Sequence, residues 1–205
     1  MFSRWMLFLV CSLICLFSFS AQNLLVAGSK PSFKTYKFQE YRVDFPGSWM
    51  PLAEETLLNY LGRYRKNAPN NPLWKDPAFA RGWQIAKNSK KKNCMCIVYR
   101  LKNERNAGLD ACMNGIMQGY IQHRSFIKDC VVKEKGELHV NQRQIKWFDV
   151  TMESEGVQLA IRHYVLLDSG YVYYIYFSTT PKSFSLVKKA SKKIVQSFKI
   201  AHSYW

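Results

Sequence analysis

Apolar and polar positions alternate along residues 33–45, where Phe33, Tyr36, Phe38, Tyr41, Val43 and Phe45 stand among Lys, Gln, Glu, Arg and Asp. A period near two predicts strands, and Gln39-Glu40 predicts the turn of a β-hairpin. Pro46-Gly47-Ser48-Trp49 closes it. The pattern then turns helical over Pro51–Lys66, with Leu57, Leu58 and Leu61 on one face. Pro51 suits a first turn, Glu54 and Glu55 suit the positive N-terminal end, and Arg63, Arg65 and Lys66 suit the other end. Residues 67–81 carry Asn67, Pro69, Asn70, Asn71, Pro72 and Pro77 and predict an irregular loop, pinned by Trp74, Phe79 and Trp83.

Two strands are expected within 83–102, around a turn at 88–93, and Cys96-Ile97-Val98-Tyr99 is the clearest stretch. Leu109–Ile127 has helical periodicity in Ala111, Met113, Ile116, Met117, Tyr120 and Ile121, with Gly115 and Gly119 weakening it. Four strands follow at about 130–139, 142–152, 157–167 and 171–179, with turns at Asn141-Gln142, Glu155-Gly156 and Ser169-Gly170. The last strand is apolar or aromatic on both sides: Tyr171, Tyr173, Ile175 and Phe177 on one, Val172, Tyr174 and Tyr176 on the other. Such a strand is covered on both faces. Thr180-Pro181 then opens a helix with the apolar stripe Val187, Ala190, Ile194 and Phe198.

The N-terminus changes the picture of where this domain works. One charge in Met1–Arg4, thirteen residues from Trp5 to Phe17 interrupted only by Ser12, and small residues at Ser18 and Ser20 have the layout of a secretory signal peptide. An alternative is an uncleaved anchor extended through Leu24, Leu25 and Val26, although Gln22 and Asn23 interrupt it. Val10 and Ile14 precede Cys11 and Cys15, where a lipid-attachment motif wants a small residue, so lipidation is not expected. The expected organisation is a signal peptide at 1–20, a linker at 21–32, one domain at 33–199 and a short tail at 200–205. An exported chain, periplasmic or secreted, keeps Cys94, Cys96, Cys112 and Cys130. Cys94 and Cys96 share a strand face, so they are better placed to bond with Cys112 and Cys130 than with each other. Two disulfides and four buried free thiols both fit the sequence.

Composition narrows the function classes. The chain has 205 residues, 48% hydrophobic and 15% aromatic, which excludes a disordered tail and leaves room for one domain. Its net charge of +16 is the strongest bulk signal. Lys90, Lys91 and Lys92 crown a turn, and Lys188, Lys189, Lys192 and Lys193 line the wet side of the last helix. These are the candidate anion-binding residues, for anionic lipid, envelope polysaccharide or nucleic acid; a solvated lysine-rich surface is the plain alternative. No known nucleic-acid module appears, so no specific nucleic acid is expected.

Catalytic signatures are missing: there is no P-loop, dinucleotide-binding glycine motif, His-Glu-x-x-His or Gly-x-Ser-x-Gly. His123, His139, His163 and His202 are scattered, and only His163 sits in a strong strand, with Asp168 five residues on. A triad needs an activated Ser or Cys beside them. Cys94-x-Cys96 lacks the paired knuckles of zinc ribbons. No catalytic residue, metal or cofactor is expected.

Two stretches carry a family resemblance. In Tyr41-Arg42-Val43-Asp44-Phe45-Pro46-Gly47-Ser48-Trp49 a strand closes on a Phe-Pro-x-x-Trp corner. Gly170-Tyr171-Val172-Tyr173-Tyr174-Ile175-Tyr176-Phe177-Ser178-Thr179-Thr180 leads into a helix ending Ile194-Val195-Gln196-Ser197-Phe198-Lys199. With the element order, they resemble the PsbP-like α/β/α sandwich, which includes DcrB-type bacterial envelope proteins. The resemblance implies an α+β fold, a mainly antiparallel sheet covered by helices, with the C-terminal helix packed on it. It implies a non-catalytic binding or accessory protein of the bacterial envelope, which the signal-like N-terminus makes an exported one. Its partner would be an anionic envelope surface or a protein, with membrane contact through the N-terminal segment if that is retained. The competing readings are a membrane-anchored subunit of an envelope complex, a Cys/His-dependent enzyme or metal-binding protein, and a secreted nucleic-acid binder.

Overall fold

A computed structural model describes residues 32–58, 80–85, 94–122, 127–154 and 156–201. The hairpin forms as expected from β1 (Phe33–Lys37) and β2 (Tyr41–Pro46). A large antiparallel sheet follows, from β3 (Trp49–Pro51), β4 (Ala80–Ile85), β5 (Met95–Lys102), β6 (Ile127–Val140), β7 (Arg143–Ser154), β8 (Val157–Asp168) and β9 (Tyr171–Thr179). Its strand order is β3-β4-β5-β9-β8-β7-β6, so the two most apolar strands, β8 and β9, lie inside. Helix α1 (Leu109–Gln122) joins β5 to β6, and α2 (Phe184–Ser197) follows β9. The chain then adds β10 (Lys199–Ile200) to β2, which gives a small sheet of order β1-β2-β10.

Strand alternation sends two sets of side chains to opposite faces. One face carries Trp83, Cys96, Val98, Tyr164, Leu166, Tyr173, Ile175 and Phe177, packed under α2 and the small sheet. The other carries Ile97, Phe148, Val150, Ile161, Val165 and Tyr176, packed against Met113, Ile116 and Met117 of α1 and against Leu57. Both faces of β9 are therefore covered, as its composition demands. On α2, Val187, Ser191, Ile194 and Val195 are buried. Each large apolar side chain in such a stripe contributes about 1.5–3 kcal/mol when fully buried.

Local differences from the expected elements have simple causes. Pro51 does not start a helix; it ends β3, at the sheet edge, where a missing N–H is tolerated. Helix begins at residue 54. Ala80 and Arg81 belong to β4 rather than to a loop, because they pair with Tyr99 and Val98. Helix α1 ends at Gln122, and β6 has already begun by Ile127. Thr180-Pro181 opens a 3-10 turn, with α2 starting at Phe184. The predicted loop at 67–79 and the turn at 88–93 lie outside the described residues.

Candidate functional site

The polar interior is concentrated where α2 crosses the large sheet. Asp149 on β7 is fully buried, and Arg162 on β8 is its cross-strand partner. Arg162 Nε donates to Asp149 Oδ1 at 2.6 Å and Nη2 donates to Oδ2 at 2.8 Å, a two-pronged pair. Lys188 of α2 reaches down to Asp149 Oδ2 at 2.8 Å and to Glu134 Oε2 of β6, also at 2.8 Å. Beside this cluster Tyr164 and Ser191 share a buried hydrogen bond of 3.0 Å, again sheet to helix. Burial is the largest single influence and works against the charge on Arg162 and Lys188. Their hydrogen bonds and attraction to Asp149, added to those of Tyr164 for Arg162 and of Glu134 for Lys188, together outweigh it, and both hold their protons more tightly than usual.

Trp147 supports the cluster from below. The Arg162 guanidinium lies 4.2 Å from the Trp147 ring. That ring lies over Gly136, its partner on β6; a Cβ there would come within 2.7 Å of the indole. Glycine is thus required by close approach, and it lets Trp147 lie flat enough to carry the arginine.

This arrangement is a latch. Both oxygens of the buried Asp149 are engaged by cations, so the cluster fixes α2 on the sheet. Its consequence for the basic face is direct. Lys188, expected on the wet side, turns inward because Asp149 needs a second cation. Lys189, Lys192 and Lys193 remain exposed, joined by Lys182. Lys90, Lys91 and Lys92 lie outside the described residues.

The groups with catalytic potential are locked away. His163 is fully buried, between Phe148 at 4.4 Å and Tyr174 at 5.3 Å, and the Tyr174 hydroxyl is hydrogen-bonded to its Nδ1. Burial pushes its pKa down to about 3, so the ring is neutral. Asp168, five residues away, falls on the opposite face and pairs with Arg143 at 2.9 Å. Cys94 and Cys96 sit in the core under the small sheet, and burial pushes the Cys94 thiol up to about 12. Cys112 and Cys130 are half-buried on the α1 side. All four are free thiols, and the expected pairing of Cys94 and Cys96 with Cys112 and Cys130 is not made, since it would have to pass through the sheet. Among the described residues no three His, Cys, Asp or Glu side chains gather as a metal site, and no helix is long and apolar enough to cross a membrane.

Asp149, Arg162 and Glu134 were not singled out from the sequence. The signal was there: Arg162 interrupts an apolar run, and Asp149 interrupts another, on strands joined by the Glu155-Gly156 turn. Two opposite charges placed at core positions of neighbouring strands point to a buried pair.

No family model matches this chain, and no curated protein matches it in sequence. Solved structures do. The solution structure of cyanobacterial PsbP from Synechocystis sp. PCC 6803 superposes with a TM-score of 0.54 at 11% identity, covering 87% of this chain and 98% of that one. The chain has a PsbP-like fold. LpqN, involved in cell envelope biogenesis of Mycobacterium tuberculosis, shares it with a TM-score of 0.52 at 7% identity, covering 83% of this chain and 91% of that one. So does PA94, a protein of unknown function from Pseudomonas aeruginosa, with a TM-score of 0.52 at 11% identity over 80% of this chain and 94% of that one. At such identities the PsbP-like fold is what is shared.

Proposed function

We propose that this is an exported, non-catalytic binding or accessory protein of the bacterial envelope, which meets an anionic membrane surface through the outer face of α2. One observation carries the reading. The latch holds α2 by its inner charges, so Lys182, Lys189, Lys192 and Lys193 project from a fixed platform, with Leu186 exposed beside them. A rigid basic face loses little entropy on contact with headgroups. The signal-like N-terminus would bring the chain to the envelope. The neutral, stacked His163 and the core thiols with raised pKa values lack the activation that acid–base or nucleophilic catalysis needs.

The test is co-sedimentation with vesicles of phosphatidylglycerol and phosphatidylcholine. Lys189, Lys192 and Lys193 are changed to Gln in one variant. Lys102, Lys133 and Lys135, exposed on the large sheet, are changed to Gln in a charge-matched control. Each lysine at the surface is worth about 1 kcal/mol, so the α2 variant should lose about a hundredfold in affinity. Equal losses in both variants would mean attraction by total charge alone, and the α2 reading would fail.

A further inference from the structure

A second set of charges gathers on the same face of the large sheet, at the seam with the β1–β2 turn. Arg81 on β4 stands opposite Val98 of β5, and Arg100 lies two residues farther along β5. Such diagonal neighbours are about 7–8 Å apart, within reach of one small ligand. Arg81 lies 4.2 Å from the Phe38 ring and Arg100 3.6 Å from the Tyr171 ring. A guanidinium stacked this way directs its N–H donors edgewise, in the ring plane. Arg100 is the cross-strand partner of Tyr173 on β9.

The turn places Glu40 over this pair, but loosely. Its carboxylate is 3.6 Å from Arg81 Nη2, longer than a hydrogen bond. Glu40 Oε2, Arg81 Nε and the Tyr41 hydroxyl are shut off from water, and among the described residues none has a hydrogen-bond partner. Tyr41 is 1% exposed, and its hydroxyl lies within the electrostatic reach of Arg81, Glu40 and Tyr173. One acceptor, one donor and one group able to do either thus stand unpaired along the seam, with Glu40 Oε2 3.6 Å from Arg81 Nη2. Leaving each unpaired costs about 1–3 kcal/mol, and native proteins rarely do so three times over. These three atoms are covered, yet the Arg81 side chain as a whole is 30% exposed and that of Glu40 15%, so the seam borders solvent and a small shift of these two side chains would admit a ligand.

We propose that the Arg81–Arg100–Glu40–Tyr41 seam binds a small carboxylate that carries a hydrogen-bond donor on the neighbouring atom. The carboxylate lies against the two arginines and accepts from the Tyr41 hydroxyl. The adjoining hydroxyl or ammonium donates to Glu40 Oε2. A phosphate dianion would leave Glu40 facing added negative charge, and a metal cation would be repelled by the arginines. This site is separate from the α2 surface and does not depend on it.

The test is a titration of the full-length, 15N-labelled chain at constant ionic strength with lactate, alanine, acetate or chloride. The arginine Nε–H and Tyr41 amide signals are followed. Saturable shifts are expected with lactate or alanine, and whichever binds tighter identifies the donor as hydroxyl or ammonium. Acetate should bind about tenfold more weakly, and Arg81→Lys or Arg100→Lys should weaken the better ligand about tenfold. Glu40→Gln should erase the advantage over acetate. Tyr41→Phe removes one oxygen and reports on the same site should an arginine variant fold poorly. Shifts that do not saturate, that chloride matches, or that persist unchanged in Arg81→Lys and Tyr41→Phe would overturn the proposal.

Discussion

At one end of the face beneath α2, Arg162 lies on Trp147 and holds Asp149 at 2.6 Å. At the other, Arg81 lies on Phe38 and faces Glu40 at 3.6 Å. The ingredients are the same: a stacked arginine, a carboxylate and a tyrosine hydroxyl nearby. The latch adds Lys188 and Glu134 and pairs both oxygens of the buried Asp149. The seam leaves a donor and an acceptor unmatched just beneath a partly exposed surface. Full pairing makes a fastening, because a buried charge without its partner is costly. Partial pairing at an accessible place makes a recognition surface, because a ligand can supply what the fold omits.

The largest effect should come from breaking the latch. Asp149→Ala leaves Arg162 and Lys188 facing a buried gap, and urea melts should show a loss of about 3–5 kcal/mol. Glu40→Gln, at the seam, should cost within about 1 kcal/mol in the same experiment. Similar losses at the two sites would erase the distinction. Next in size, Gly136→Val should displace the Trp147 ring and with it the seat of Arg162, costing about 1–3 kcal/mol. The drop should shrink when Trp147 is shortened to Leu in the same chain.

The α1-covered face extends the comparison to pH. His163 titrates near 6.5 when unfolded and near 3 when folded. Between those values the unfolded chain binds the extra proton, so stability is whole above about 6.5 and falls as pH drops toward 3. The slope is up to about 1.4 kcal/mol per pH unit for one proton. His163→Phe should flatten that part of the profile in acid-range urea melts; an unchanged slope would point elsewhere. The smallest effect concerns access. Iodoacetamide should label Cys112 and Cys130 in the native protein without prior reduction, and Cys94 and Cys96 only once it unfolds. Labelling that requires a reductant would show disulfides instead of free thiols.

Much of this architecture could be read in the chain. The hairpin at residues 33–45, the meander and its turns followed from period-two alternation and turn chemistry. Ser169 and Gly170 adopt the left-handed conformations that such a turn requires, at φ 48° and 76°. The double-sided apolar pattern of β9 correctly demanded two covers. Local pattern could not say that β10 would rejoin β2, because two residues, Lys199 and Ile200, carry no periodicity. Nor could it place Pro51 in a strand, since the pairing with Trp83 is set by tertiary packing. The candidate sites were less legible. A lysine row looks alike whether solvated or engaged, and only the position of Asp149 on the neighbouring strand turns Lys188 inward. The seam is assembled from residues 38 to 173, which no spacing rule connects.

The most direct test of the proposed envelope role is the N-terminus of the chain and its address in the native host. Intact mass should show a chain beginning at about Ala21, recovered with the envelope or periplasmic fraction. A full-length chain beginning at Met1 in the cytosolic fraction would contradict export and, with it, the proposed work at an envelope surface.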